Sequence, residues 1–343
     1  MKIAVAGAGI YGSTIAIGLA RCGHQVDLYD PVGVMKAASS INQYRVHKGY
    51  HYPRSSETII EILEARQGFI SEYSSAIVTG ANHYYAIPKK HSLTSPDEFE
   101  AVCEKYKLGL GFARPNWMNF DFIDRCYLVD EVLYDHVKLR MDIIEKLKNL
   151  KVNYINDLYV SDILDDKYEK VVMATYGESG SSDALFDKVE LQVAEKILIE
   201  LPKTIQNVSL VIVDGAFTAF DPYGTSGYSL FGSAKHTNHW RTFNLDKDIP
   251  NIFKKNINSE AFVEYTETKF SLMREEASNA VPLSKNAKYI GSKLTKRFVE
   301  YNPKEDRRVL HIKRKDNKIF VFSGKVVSAV KACAIVKDMV ELS

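Results

Sequence analysis

The chain has 343 residues, 45% of them apolar and 26% charged, which is near the globular average and enough for two sub-domains with their own cores. A formal net charge of +2 offers no electrostatic basis for binding nucleic acid or a membrane surface, and no apolar run reaches the length of a membrane span. Cys22, Cys103, Cys126 and Cys333 lack C-x-x-C spacing, so free thiols in a reducing cytoplasm are expected and a metal centre is not.

The first element in chain order carries the most information. Met1-Lys-Ile-Ala-Val-Ala reads as a strand with no leader-cleavage pattern. The turn Gly7-Ala8-Gly9-Ile10-Tyr11-Gly12 follows, then an apolar-periodic helix, then the strand Gln25-Val-Asp-Leu-Tyr ending at Asp30. This order binds a dinucleotide. Gly7 permits the tight turn, Gly9 admits a pyrophosphate to the backbone, and Gly12 lets the helix lie close to the strand. Asp30 is placed to accept hydrogen bonds from a ribose diol.

Next comes a polar and aromatic cluster, from Ala37 through Ser39, Ser40, Asn42 and Arg45 to His47-Lys-Gly49-Tyr50-His51-Tyr52-Pro53-Arg54-Ser55. Burying such a cluster is costly unless a network or a ligand satisfies it. A helix is expected over about 56–74, capped by Ser55 or Ser56. Residues 75–127 alternate strand-like runs with turns and hold a short helix opening at Ser95-Pro-Asp-Glu. An amphipathic helix is predicted over 131–150, and strands over 152–155 and 160–163. A buried strand is predicted from Lys170 into Ala174-Thr175-Tyr176-Gly177. Residues 189–199, 209–213, 217–220 and 228–231 read as strands, 259–273 as a helix, and 318–322 as a strand entering Ser323-Gly324-Lys325. A helix over 326–342 follows it.

The two nucleotide signals occur in a particular order. The pattern Gly7-x-Gly9-x-x-Gly12, Asp30, the strand into Ala174-Thr-Tyr-Gly177 and the late strand–Gly324–helix resemble the D-amino-acid oxidase (glycine/sarcosine oxidase) superfamily of FAD-dependent oxidoreductases. The resemblance spans residues 1 to about 340. A narrower likeness, to a branch with accessory roles in glycan or nucleotide-sugar pathways, rests on His47-x-Gly-Tyr-His-Tyr-Pro-Arg-Ser55, Asp214-Gly-x-Phe217, Asp221-Pro-Tyr-Gly224 and Ser323-Gly-Lys325.

The resemblance implies an α/β protein. A Rossmann-like FAD-binding domain of the two-dinucleotide-fold type would form from 1–80, 128–180 and 303–343. A mixed, largely antiparallel substrate domain would form from 81–127 and 181–302. FAD would be held by residues 7–12, Asp30, Ser39, Ser40, Asn42, Val160, residues 174–177, Gly324, Lys325 and Val326. Asp30 stands where the family more often has Glu, and Lys325 where it has a small residue.

The implied chemistry is hydride transfer from a carbon beside nitrogen or oxygen to flavin N5. Lys325, at the start of the last helix, would stabilise negative charge developing near flavin N1. Arg54, Arg297 and Arg308 are candidates for gripping an anionic group, with Asp306 and Arg308 resembling the family's Asp-x-Arg element. His51 and His47 are the leading candidate bases, and His236 or His239 could also line the pocket. The expected substrate is a small polar or anionic amine, amino acid or amino sugar. The alternative is an FAD-fold binding or accessory protein without turnover.

Overall fold

The computed structural model describes residues 1–156, 167–178, 184–186, 188–245, 247–301 and 307–342. The segment Lys2–Ala6, with the β-branched Ile3 and Val5, lies within a six-stranded sheet. In spatial order its strands are His311–Lys315, Lys318–Phe322, Lys170–Met173, Lys2–Ala6, Gln25–Tyr29 and Asn153–Ile155. Each neighbouring pair is parallel except the terminal hairpin, where His311 faces Phe322. Parallel strands are covered on both faces, so Ile3, Ala4, Val5 and Leu28 are all fully buried. The helix Ile10–Arg21 packs against the C-terminal helix Ala329–Glu341 so closely that a Cβ on Gly18 would stand 2.1 Å from Cys333 Sγ.

The second sheet has nine strands. Its path runs through Asn238–Thr242, Val189–Glu200, Ser229–Ser233, Thr218–Pro222, Val208–Ile212, Asn82–Pro88, Ile123–Val129 and Leu110–Phe112. Off this path, Lys288–Glu300 runs antiparallel along Val189–Glu200, pairing Glu195 with Leu294 and Lys196 with Lys293. One pairing is parallel, Val208–Ile212 beside Asn82–Pro88. The sheet is therefore mixed and largely antiparallel. Its core gathers Ile197, Leu210, Phe220, Phe231 and Met273, the last from the helix Phe270–Ala280. A small third sheet joins Arg45–Val46, Val132–Tyr134 and Ile77–Val78. Among the described residues no helix is long and apolar enough to cross a membrane.

Several local expectations hold in detail. Ser95 caps the helix Pro96–Lys105 with a reciprocal box, its hydroxyl accepting from Glu98 N–H while the Glu98 carboxylate accepts from Ser95 N–H. Ser55 occupies the N-cap of Ser56–Glu72, yet its hydroxyl bonds to the Thr58 hydroxyl at 2.8 Å and not to the backbone.

Two helix boundaries differ from expectation. The helix expected from 131 starts at His136, because Val132-Leu-Tyr134 pairs as a strand with Arg45–Val46 and Asp135 then caps the helix through Val137 and Lys138 N–H. The helix expected over 259–273 starts at Phe270. Val263 instead bonds to Ser292 of the long strand, and Tyr265 is buried against Val193 and Leu294. Tertiary pairing overrides local helical patterning in both places. The strand expected over 160–163 lies outside the described residues.

Candidate functional site

One cavity of about 840 Å³ extends from the N-terminal glycine turn to the last strand–helix junction and the adjoining face of the nine-stranded sheet. The three glycines of the turn have different duties. A Cβ on Gly12 would meet the Gly7 carbonyl oxygen at 1.7 Å, so only glycine lets the helix descend onto the turn. Gly7 has a φ of +95°, and a Cβ there would meet the Ala174 carbonyl oxygen at 2.5 Å. At Gly9, which lines the cavity, a Cβ would meet a side chain and not backbone, standing 3.0 Å from Ser39 Oγ, which accepts from Ile10 N–H at 2.9 Å.

Gly7, Gly9, Ile10, Tyr11, Asp30, Ser39 and Asn42 line the cavity, as do Ala174, Thr175, Tyr176, Gly324, Lys325 and Val326. Four expected cofactor residues do not. Ala8 is fully buried and its N–H donates to the Asp30 carboxylate. Gly12 serves packing. Ser40 turns inward and donates to the carbonyls of Lys36 and Ala37. Gly177 has a φ of +133° and lies under Phe298, whose ring a Cβ would meet at 2.6 Å. Val160 and Asp306 lie outside the described residues.

Asp30 is more occupied than a plain ribose acceptor. Its carboxylate takes the N–H groups of Ala8 at 2.7 Å, Val32 at 2.8 Å and Gly33 at 2.9 Å. It therefore knits the glycine turn to the loop after the second strand while still facing the cavity. Asp30→Ala is expected to lower the melting temperature as well as dinucleotide affinity, since charge-assisted hydrogen bonds contribute about 1.5–3 kcal/mol each. Thermal unfolding with and without added FAD separates the two losses. An unchanged melting temperature and an unchanged affinity together would contradict this role.

Residues from opposite ends of the chain meet at the far end of the cavity. The Tyr11 hydroxyl donates to the Lys325 carbonyl, and Lys325 N–H donates to Ser323 Oγ at 3.1 Å. The Lys325 side chain is buried, with Nζ 3.2 Å from the centre of the Tyr52 ring. The His51 ring centre lies 5.0 Å from that of Tyr52 and 5.3 Å from that of His47. Burial holds the His47 imidazole well below its ordinary pKa, and Lys325, His51 and Arg45 push the same way. A neutral His47 therefore stands beside the lysine.

Arg297 and Arg308 also line the cavity, and the Arg297 guanidinium donates to Gln192 Oε1 at 3.0 and 2.8 Å. Arg54 does not line it. It is exposed and paired with Asp214, which is itself on the cavity wall and accepts from the Thr94 hydroxyl at 3.0 Å. The motif arginine thus holds a rim carboxylate in place. His236 and His239 are also off the cavity. His239 Nε2 lies 2.8 Å from Glu195 Oε2, and that carboxylate is buried on the other face of its strand.

Sequence reasoning missed a buried ionic network and a lysine. Arg45 Nη1 meets Glu131 at 3.0 Å and its Nη2 meets Asp221 at 2.6 Å, with both ion pairs almost sealed from solvent. Tyr85 and Ser209 donate to the same two carboxylates. Asp221 and Arg45 both belong to signatures noted in the sequence, and the pair ties the small sheet to the large one. Arg45→Met would strand two buried carboxylates. It is expected to destabilise the fold by about 3–5 kcal/mol, to be read by denaturant unfolding. A loss below about 1 kcal/mol would show that the pairs hold little together.

Lys196 lines the same cavity from the strand Val189–Glu200, and its Nζ donates to Gln43 Oε1 at 2.7 Å. A period-two reading of that strand places Ala194 and Lys196 on one face, a signal available in the sequence.

No protein-family model matches the chain. It is 25% identical over 243 residues to the FAD-dependent monooxygenase FPY4 of Fusarium mangiferae, a match covering 69% of this chain and 64% of that protein. It is 29% identical over 109 residues to the FAD-dependent monooxygenase kojA of Aspergillus flavus, covering 30% of this chain and 26% of that protein. The matches thus span less than two thirds of either relative's length.

Among solved structures, glycine oxidase from Geobacillus kaustophilus superposes with a TM-score of 0.72 at 14% identity, covering 99% of this chain and 94% of that one. Iminodiacetate oxidase from Chelativorans sp. BNC1 gives 0.69 at 12% identity, with 99% and 95% covered. L-α-glycerophosphate oxidase from Mycoplasma pneumoniae with FAD bound gives 0.69 at 14% identity, with 99% and 94% covered. The chain therefore has the fold of these FAD-dependent oxidases.

Proposed function

We propose that this protein binds FAD non-covalently and oxidises a small polar or anionic amine, amino acid or amino sugar at the carbon beside its nitrogen. One observation carries the reading: a single cavity joins the glycine turn to a cluster of Lys325, Arg297, Arg308 and His51. The residues fit a dinucleotide. Gly9 and Ile10 present the helix N-terminus to the cavity, where Ser39 Oγ accepts from Ile10 N–H at 2.9 Å, and Asp30 stands on the same wall.

Bound flavin supplies a hydride acceptor, and the protein supplies the rest. Tyr11 and Ser323 fix the Lys325 backbone, and its ammonium lies over Tyr52 where it offers positive charge to the end of the cavity. Arg297 and Arg308 offer planar donors to a carboxylate or phosphate. Arg54 acts through Asp214 and holds the rim. His47, kept neutral, adds no competing charge. A role in glycan or nucleotide-sugar metabolism belongs to this proposal and rests on the motif likeness alone.

The names of the relatives favour a second reading, oxygenation of the substrate by reduced flavin and oxygen. Anaerobic mixing with a panel of amines, amino acids and amino sugars tests the first. It predicts bleaching of the flavin by substrate alone. Bleaching that requires a nicotinamide coenzyme, followed by oxygen incorporation, supports the second. Tight binding of a panel member with no bleaching under either condition supports an accessory protein.

A further inference from the structure

Lys196 stands on the strand Val189–Glu200 of the large sheet and lines the cavity. Room for it is made by the neighbouring strand, where a Cβ on Gly232 would meet Nζ at 2.9 Å. Its hydrogen bond goes to a neutral amide, Gln43 Oε1. The nearby carboxylate, Asp221, is committed elsewhere. It takes Arg45 at 2.6 Å, Ser209 at 2.7 Å and the Gln43 amide N–H at 3.1 Å.

The other charges around Lys196 are like charges. Arg297 lines the same cavity from the strand Lys288–Glu300, Arg45 comes from the small sheet, and Lys293 is its cross-strand partner. A lysine with a neutral acceptor and two cations, Arg297 and Arg45, acting on it sheds its proton readily.

We infer that Lys196 is the proton acceptor of this site, taking a proton from a substrate ammonium group so that the neutral amine can be oxidised. One N–H bond of the ammonium breaks and its electron pair stays on nitrogen. The proton joins the lone pair of Nζ. The freed nitrogen pair then supports departure of hydride from the adjacent carbon to the bound flavin, leaving a substrate iminium. Lys196 thus takes the part that sequence reasoning gave to His51.

Burial first, then Arg297 and Arg45, against the opposing Asp221, together bring the Lys196 ammonium down to about 7. The base form is therefore present above that pH and lost as pH falls through it. Lys293 is also shifted down, by burial, with Glu260 opposing.

The inference rests on the amine-oxidising reading above, and two measurements separate their failures. The first is carbon-13 reductive methylation of the flavin-loaded protein followed by an NMR pH titration, with the Lys196 signal assigned by its loss in Lys196→Arg. A midpoint near 7 is expected, and titration in the ordinary lysine range near 10.4 would overturn the inference. This titration stands whether or not a neutral variant folds.

The second is the pH profile of anaerobic flavin reduction by an amine. Lys196→Met should lose the acid limb of the profile and reduce flavin about 10²–10⁴-fold more slowly, with flavin content unchanged. Lys196→Arg, which keeps the charge and loses the base, should behave in the same way. A Lys196→Met protein with the parent's rate and acid limb would overturn the inference alone. A parent protein that no amine bleaches would overturn the amine reading, and this inference with it.

Discussion

Gly9→Leu is expected to yield a folded protein without flavin. The other two glycines of the turn face backbone, so a side chain there strikes a carbonyl oxygen at 1.7 Å or 2.5 Å and breaks the packing of the first helix. Gly9 faces the cavity. Ser39 Oγ accepts from Ile10 N–H at 2.9 Å and would stand 3.0 Å from a Cβ on Gly9, so a leucine would force Ser39 aside and cover the helix N-terminus, where a pyrophosphate would lie against backbone N–H groups. Loss of retention by at least a hundredfold, about 2.7 kcal/mol, is expected. Circular dichroism should show the parent's secondary structure, and the visible flavin bands should be missing. Gly12→Ala is the contrasting variant and should lower the melting temperature before it affects binding. A yellow Gly9→Leu protein would place the cofactor elsewhere.

Lys325→Met is expected to have a large effect on chemistry without a matching effect on binding. The lysine is buried, its backbone is held by Tyr11 and Ser323, and its ammonium sits over the Tyr52 ring. Positive charge fixed in a low-dielectric pocket favours the reduced, anionic form of a flavin over the oxidised form. Its removal should lower the reduction potential and slow flavin reduction by about 10²–10³-fold, while the substrate dissociation constant moves much less. The same variant should raise the pKa of His47, because Lys325 is the first of the charges, after burial itself, that hold that imidazole down. An NMR titration of the histidines checks this second consequence without any substrate. An unchanged potential together with an unchanged His47 would remove Lys325 from the electrostatics of the site.

The fold was legible where local chemistry dictates local geometry. Gly7, Gly9, Gly12 and Asp30 announce a strand–turn–helix–strand unit, and the buried strand before Ala174 and the one before Ser323 supply its parallel neighbours. Ser95-Pro-Asp-Glu states its own capping box. The misread segments are those whose partners are distant in sequence. Nothing near Val263 reveals that Ser292 will pair with it, and nothing near Val132 reveals Arg45–Val46.

The site divides in the same way. Tyr52, His51 and Lys325 could be placed together because both motifs follow strands that end at the cavity. The partners of Arg54 and His239 could not be foreseen. Each meets a carboxylate, Asp214 from the bend after a strand or Glu195 from within one, that tertiary folding brings alongside. Lys196 was overlooked because a lysine in a strand ordinarily belongs to a solvated face. Only Gly232 and Gln43, 36 and 153 residues away, show that this one has room and a neutral acceptor inside.

The most direct test of the account is the identity of the cofactor carried by the purified chain. Its absorbance spectrum, followed by chromatography of the molecule released on denaturation, should show oxidised flavin, free of the polypeptide and present as FAD at one per chain. A colourless protein that takes up a nicotinamide dinucleotide tightly, and no flavin when refolded with both, would contradict it.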